Sequence, residues 1–372
     1  MSSRNLHEKP FTEETNTKLS IFEGYAKEWL PVFVMSNKKV CICDFFAGTG
    51  YDVVGVPGSP IRILQQICGQ IGNIFQRKTF VHVIFNELDR QKYNSLCEKC
   101  NDFCEKNPEL QRAIQANLVK MDIINDNFEK AFENNLYEIQ NSPALVYLDQ
   151  NGVKYLSEQY LTQLVNSEKI DFLYFVSSSY YLRFGTTEEF QKNIAFDIEK
   201  LKNIDYKRCH IELVKELNLK IPSTSRVRLY PFTIKKNTNI YGIVFGASHP
   251  LGVEKFLRVA WKKNPVNGLA NFDIDDDELK SGQLDLFGHI ERTKIEKFQM
   301  DLENKVKTKV LKTNKDVYFH TLMQGHIPEH SQECLKKMKQ KGIISYSTRT
   351  PYISYDKICK EKKIIEYVVL GY

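Results

Sequence analysis

The sequence predicts an open α/β sheet with a basic, helix-rich unit after it, and three observations carry that prediction. Apolar runs of strand length alternate with amphipathic helical stretches along most of the chain. Four of these runs close on an acidic residue, Asp44, Glu87, Asp122 and Asp149, each one βα unit after the last. The positive charge is gathered at one end: residues 291–372 hold 17 Lys and Arg against 10 Asp and Glu, and the remainder is within one charge of neutral.

At 372 residues the chain is long enough for two domains, or for one with a large appendage. Hydrophobic content of 42% and charged content of 26% are those of a globular chain with a sizeable core. No uninterrupted apolar stretch is long enough for a membrane span, and MSSRNLHEKPFTEE has no apolar signal core. A cytoplasmic protein without a membrane partner is therefore expected. Nine cysteines, an odd number spread over strands and helices, suit a reducing compartment better than a disulfide framework. The basic end suggests contact with nucleic acid or another polyanion; a solvated Lys-rich surface is the alternative.

Residues 15–34 place Leu19, Phe22, Tyr25, Ala26, Trp29 and Leu30 on one helical face, and Pro31 should end or kink that helix. Residues 40–46 read as a buried strand that ends on Asp44 and enters Ala47-Gly48-Thr49-Gly50. Glycine there lets the backbone turn tightly and approach a ligand. The pattern D-x-F-x-G-x-G is not the dinucleotide G-x-G-x-x-G and favours S-adenosylmethionine; a purely structural turn is the alternative. Ser59 is expected as the N-cap of the next helix, with Pro60 at its first position and Ile61, Leu64, Ile67, Cys68 and Ile71 as its buried stripe.

The second strand, 79–87, ends on Glu87, well placed to accept the ribose hydroxyls of an adenosyl group. A helix over 89–106 carries Cys97, Cys100 and Cys104 near one face, where packing thiols are expected because no fourth metal ligand lies nearby. Strands follow at 117–122, 143–149 and 171–178, the last apolar throughout and so central, with helices over 124–138 and 155–167 and a largely helical 186–217. Segments 227–234 and 240–248, joined by KKNTN, form a hairpin, and Pro231 hints at an edge or a bulge. Five βα units and a hairpin predict the seven-stranded sheet of class I methyltransferases, with one antiparallel strand near its edge.

Beyond a helix over 252–263, residues 264–288 show no clear period and read as a linker, and 290–311 as a long charged helix. Then come two short helices around the turn GHI and the strands IISYS and YISYD around TRTP, which describe a winged helix-turn-helix. The expected division is 1–263, a linker at 264–289, a connecting helix at 290–312 and a winged-helix domain at 313–372.

Asp44, Phe46, Gly48, Gly50, Glu87 and Asp122 are the expected cofactor-binding residues, with Asp122 on the adenine amine. The residues after the fourth strand bear on the reaction. Amino-methyltransferases acting on nucleic acids carry Asp/Asn/Ser-Pro-Pro-aromatic there, to accept the target amine and stack a flipped base. Asp149-Gln150-Asn151-Gly152 keeps the acceptor and lacks the prolines and the ring, for which Tyr155 substitutes only if the loop bends suitably. Asp149 is the candidate catalytic residue, or else a helix N-cap. Ser177, Ser178, Ser179, Tyr180 and Arg183 either line the cleft or cap the next helix. His326 and His330 flank Pro328, which breaks the helical spacing a metal pair needs, so no metal site is assigned. Lys336, Lys337, Lys339 and the wing-tip Arg349 are the expected phosphate contacts.

Taken together, TKLSIFEGYAKEWL, DFFAGTG with GSPIRIL, VIFNELDRQKYNSL, ALVYLDQNG and GHIPEHSQECLKKMKQKG resemble the three-Cys-motif partner (TcmP) proteins. The resemblance implies a methyltransferase-like fold, S-adenosylmethionine as cofactor and a radical-SAM-like partner with a three-cysteine motif, often encoded in mobile elements. Members commonly have Asp-Pro-Phe-Gly after the fourth strand; Gln150 and Asn151 replace the middle pair here. Two functions are thus expected in contention. One is a methyltransferase acting on nucleic acid with that partner; the other is a non-catalytic adaptor that binds nucleic acid and docks the partner.

Overall fold

The computed structural model of the chain describes residues 10–149, 158–184, 187, 205–280 and 292–370. Seven strands form one sheet: β1 (Lys39–Asp44), β2 (Phe80–Asn86), β3 (Val119–Ile124), β4 (Ala144–Leu148), β5 (Ile170–Val176), β6 (Arg228–Lys236) and β7 (Asn239–Ala247). Their order is β3-β2-β1-β4-β5-β7-β6. The first five are parallel, and β7 runs antiparallel to both β5 and β6. This is the class I methyltransferase-like sheet. Its strand order reverses between β1 and β4, so the carboxyl ends of those two strands open on the crevice where such sheets bind ligands.

The parallel strands are apolar without alternation because both faces are covered. On one face Cys41, Cys43, Val146 and Phe172 pack with Phe128 and Phe132 of α6 (Phe128–Asn141), Leu164 of α7 (Glu158–Val165) and Leu213 of α9 (Cys209–Lys220). On the other, Phe22 of α1 (Glu13–Ser36) stacks on Tyr147 at 4.0 Å, and the Tyr25 hydroxyl donates to Asp171 at 2.6 Å. The short helices α2 (Ser59–Cys68) and α3 (Ile71–Arg77) pack on α1. Among the described residues this unit also has the helices α4 (Arg90–Glu105), α5 (Pro108–Gln115) and α8 (Ser178–Phe184).

Several expected boundaries move. Pro31 does not end α1, which continues to Ser36; the carbonyl it leaves without a donor belongs to the exposed Lys27, where water reaches it. Helix α2 begins at Ser59 with Gly58 as its N-cap, and Ser59 itself is buried. Strand β3 runs on to Ile124, because Ile123 and Ile124 still pair with Phe85 and Asn86; Asp122 therefore lies within the strand and not at its end. Pro231 is on β6, an edge strand, as a residue without an N–H requires.

The chain divides into two compact units, Met1–His249 and Pro250–Tyr372. Helix α10 (Pro250–Lys263) belongs to the second, not to the sheet unit as the expected boundary at 263 had it. Its Glu254 accepts from the Tyr318 hydroxyl at 2.8 Å, and its Trp261 Nε1 donates to the Gly325 carbonyl at 2.9 Å. The described part of the expected linker is folded on α10: Asn267 and Ala270 are fully buried, and Asn264 Nδ2 donates to the Ala270 carbonyl.

Helices α11 (Lys294–Lys307) and α12 (Asn314–Met323) start on capping boxes, Thr293 with Glu296 and Thr313 with Asp316. With α13 (Pro328–Gln340) they enclose Val317, Tyr318, Leu322, Cys334, Leu335 and Met338, while Phe319 is half-buried. The wing is built differently from the expected hairpin. Strand β8 (Ile344–Ser345) pairs with β9 (Val368–Val369), while residues 356–360 form a helical turn. Pro351 has no N–H for a ladder and Tyr352 sits at φ 51°, so no second strand forms at the expected place.

Candidate cofactor site and candidate nucleic-acid interface

Asp44 ends β1 with a carboxylate that is fully buried. Its Oδ1 accepts from the Phe46 N–H at 3.1 Å, whereas Oδ2 is enclosed with no hydrogen-bond partner. Burial raises its pKa to about 7; the Ser59 hydroxyl, close to the carboxylate but outside hydrogen-bond geometry to Oδ2, and the Phe46 N–H work in the opposite direction. An enclosed carboxylate oxygen without a donor is costly in a folded protein, and a cationic or hydrogen-bonding ligand relieves the cost.

The turn after Asp44 is latched to the end of β2. Gly48, at φ 67°, donates its N–H to Glu87 Oε2 at 2.9 Å, and Glu87 Oε1 accepts from the Asp89 N–H at 2.9 Å. Each Glu87 oxygen keeps a second acceptor site. Gly50 sits at φ 85°, a backbone conformation that strains any side chain; a Cβ there would also lie 3.3 Å from Lys99 Cβ, a slightly tight contact. The Phe46 ring stacks on Phe128 at 5.3 Å. Asp44, Phe46, Gly48, Gly50 and Glu87 are thus brought together.

Asp122 is not among them. Its carboxylate is taken by His82 Nε2 at 2.7 Å and Lys120 Nζ at 2.6 Å. Burial works upward on its pKa, but these hydrogen bonds hold it below the ordinary value. Past the true end of β3, Asn125 donates to the Glu87 and Leu88 carbonyls, and the Asp126 N–H donates to Asn86 Oδ1 at 3.2 Å. Asn125 and Asp126 therefore occupy the strand end where sequence spacing had put Asp122. The signal was the apolar pair Ile123-Ile124, which carries the strand two residues further.

Asp149, just past β4, is paired with Lys18 of α1, and the Lys18 ammonium lies 4.2 Å from the centre of the Phe175 ring. Sequence reasoning had no access to this lysine. Gln150, Asn151, Gly152 and Tyr155 lie outside the described residues. Of the serines after β5, Ser178 is buried against His210: His210 Nε2 meets the Ile243 carbonyl at 3.0 Å, which requires a proton there, so Nδ1 accepts from the Ser178 hydroxyl at 2.6 Å. Burial lowers the His210 pKa to about 4. Ser177 gives its carbonyl to the Tyr180 N–H, a helix-start role, and Arg183 reaches Asn239 Oδ1 at 2.9 Å.

In α4, Cys100 and Cys104 are buried, and burial pushes both thiols up, Cys104 to about 11. His326 and His330 pack with Trp261 and Phe298, their Nδ1 atoms 3.0 Å apart.

In the second unit, Lys336, Lys339, Gln340, Tyr346, Arg349 and Thr350 line a groove of about 640 Å³. Lys339 anchors the wing, donating to the Tyr346 carbonyl at 3.0 Å and the Thr348 carbonyl at 3.1 Å, with its ammonium 3.9 Å from the Tyr346 ring centre. Lys336 and Arg349 are exposed beside it. Lys337, expected alongside them, does not line the groove and pairs with Glu333 one helical turn back, at 2.8 Å.

The two units define a class I methyltransferase-like sheet followed by a winged helix-turn-helix. A family model described as the GMT-like wHTH domain matches residues 271–351. Among solved structures the chain is similar to the METTL16 MTase domain, at 9% identity and TM-score 0.33 over 61% of this chain and 66% of that one. It is also similar to the O-methyltransferase TomG from Streptomyces achromogenes, at 10% identity and TM-score 0.31 over 65% of this chain and 92% of that one. No curated protein matches it. Among the described residues no helix is long and apolar enough to cross a membrane.

Proposed function

We propose that this protein is an S-adenosylmethionine-dependent methyltransferase-like protein whose winged helix engages nucleic acid, working with the radical-SAM-like partner its resemblance implies. The observation that carries the reading is Asp44 Oδ2, a fully buried carboxylate oxygen with no donor, beside the glycine turn at the strand-order reversal. S-adenosylmethionine has cationic groups for such an oxygen and, when bound, supplies an activated methyl. Asp44 would hold the cationic end, the Gly48 backbone would approach the cofactor, and the free acceptor sites of Glu87 would take ribose hydroxyls. The end of β3 at Asn125 and Asp126 would receive the adenine amine. Asp149 would orient the target nucleophile, and transfer then needs mainly proximity and alignment. Calorimetry with S-adenosylhomocysteine tests the pocket: one equivalent should bind the wild type, and Glu87→Ala should weaken it at least tenfold. Absence of binding to the wild type sinks the reading.

One observation favours a second reading, in which the protein binds nucleic acid and docks its partner without catalysis. Asp149 is already occupied by Lys18. A label-transfer assay on nucleic acid with the partner present separates the two. Transferred methyl label rules out a purely adaptor role; cofactor binding without transfer supports it.

A further inference from the structure

We propose that Cys41, His82 and Glu138 form a binding site for a divalent transition-metal ion of the zinc type, on the sheet face opposite Asp44. Cys41 and His82 are directly paired across β1 and β2, and Glu138 reaches them from α6. One ligand atom from each lies within 4.8 Å of the other two. A tetrahedral zinc ion with bonds of about 2.0–2.3 Å spaces its ligands by roughly 3.5 Å, so ångström-scale side-chain adjustment closes the set. Cys41 and His82 are buried, and the Glu138 side chain is 20% exposed.

The proton positions favour a cation among these three groups. His82 Nε2 faces Asp122 Oδ2 at 2.7 Å, so that nitrogen carries the proton and donates it. In the neutral ring Nδ1 then presents a lone pair, and the atom before it is Glu138 Oε1 at 3.5 Å. Glu138 Oε1 is itself buried with no hydrogen-bond partner. Two acceptors facing each other in a buried site repel unless a proton or a positive charge lies between them. A second proton on His82 supplies one answer. The thiol of Cys41 beside the pair favours the other, because a thiolate is a soft ligand that selects zinc-like ions over magnesium or calcium.

The surroundings are those of a supported site. Asp122 fixes the imidazole tautomer and ring orientation, as carboxylates behind metal-bound histidines do. Lys39 Nζ holds Glu138 Oε2 at 2.7 Å and leaves Oε1 free. The Cys43 sulfur is 3.5 Å from that of Cys41, close enough for its S–H to donate to a Cys41 thiolate. One thiolate and one carboxylate neutralise a divalent ion, and water completes the fourth position. The ion would tie β1, β2 and α6 together, a structural role independent of the cofactor pocket.

The test uses the full-length protein after chelator treatment, titrated with Zn²⁺ by calorimetry and with Co²⁺ by absorption. The expected result is one ion per chain, with a sulfur-to-cobalt charge-transfer band that Cys41→Ser abolishes and Cys100→Ser leaves intact. Glu138→Gln should weaken Zn²⁺ binding at least tenfold, and Asp122→Asn by roughly 10–100-fold. Zn²⁺ should raise the melting temperature of the wild type and not of Cys41→Ser. If Cys41→Ser does not fold, the partly exposed Glu138→Gln carries the affinity comparison. No binding of either ion, a sulfur band that survives Cys41→Ser, Zn²⁺ affinity unchanged by Glu138→Gln, or nitrogen chemical shifts showing His82 doubly protonated at neutral pH in the Zn²⁺-treated protein would each overturn the proposal.

Discussion

Lys18 of α1 and Asp149 at the end of β4 form an ion pair with side chains 10% and 20% exposed, closed over by the Phe175 ring. An N-terminal helix thus neutralises the carboxylate that follows β4, at the crevice where the strand order reverses. Removing one partner of so enclosed a pair strands the other charge. Lys18→Met is expected to cost about 3 kcal/mol in urea unfolding, and Lys18→Met with Asp149→Asn to recover most of it. Additive losses in the double variant would show that the pair is not coupled.

Asp44 gives a pH signature. Burial raises its carboxyl to about 7 in the folded state, against roughly 3.9 unfolded. The folded state therefore holds the proton more tightly. Its contribution to stability is complete below about pH 4 and is lost as pH rises through 7. Asp44→Asn, which keeps the shape without the charge, should lack that decline and match or exceed wild-type stability at pH 8. The same variant should bind S-adenosylhomocysteine at least tenfold more weakly, since the amide cannot balance an ammonium. Parallel stability–pH curves for the two proteins would contradict the assignment.

The second unit titrates in the opposite sense. Burial, then the Lys294 charge, lowers His330 to about 4 and His326 to about 2, against an ordinary value of 6.5. These rings are neutral when folded, so their contribution is complete above about pH 6.5 and fades as the unfolded chain takes up protons below it. Trp261 meets His330 edge-on at 4.3 Å, and Trp29 is the other of the two tryptophans. In a Trp29→Phe background, Trp261 fluorescence should report a melting temperature lower by roughly 5 °C or more at pH 4.5 than at pH 7. His330→Gln should flatten that dependence.

At the wing, Lys336→Ala with Arg349→Ala should weaken nucleic-acid binding broadly across sequences. The log–log salt slope should fall by roughly 0.9 for each duplex phosphate that is no longer neutralised. Lys337→Ala, whose ammonium already faces Glu333, should change the slope little. Lys339→Ala should act through the wing it anchors as well as through charge, and its melting temperature should drop. Unchanged affinity and slope in the Lys336/Arg349 variant would point to protein docking by this unit.

The sheet was legible because each parallel strand must be apolar on both faces, and a run such as Val40 to Phe46 has few other readings. The hairpin, the edge position of Pro231 and the two helices of the C-terminal core followed from the same local chemistry. The wing did not, since Ile344 and Ser345 pair with Val368 and Val369, and no local pattern fixes so distant a partner for a two-residue strand.

What the sequence determined by itself was the glycine turn behind Asp44, the acidic residues at the ends of β1, β2 and β4 and the basic helix of the second unit, because these depend on period, turn chemistry and composition. Only the tertiary structure decided which carboxylates are free. Asp122 is held by His82 and Lys120, Asp149 by Lys18, and Asp44 alone of the four keeps an enclosed oxygen without a donor. A carboxylate's state depends on which side chains the fold brings within about 3 Å of it. Lys18 and Asp149 come from distant stretches of the chain, so their meeting is a property of the packed molecule.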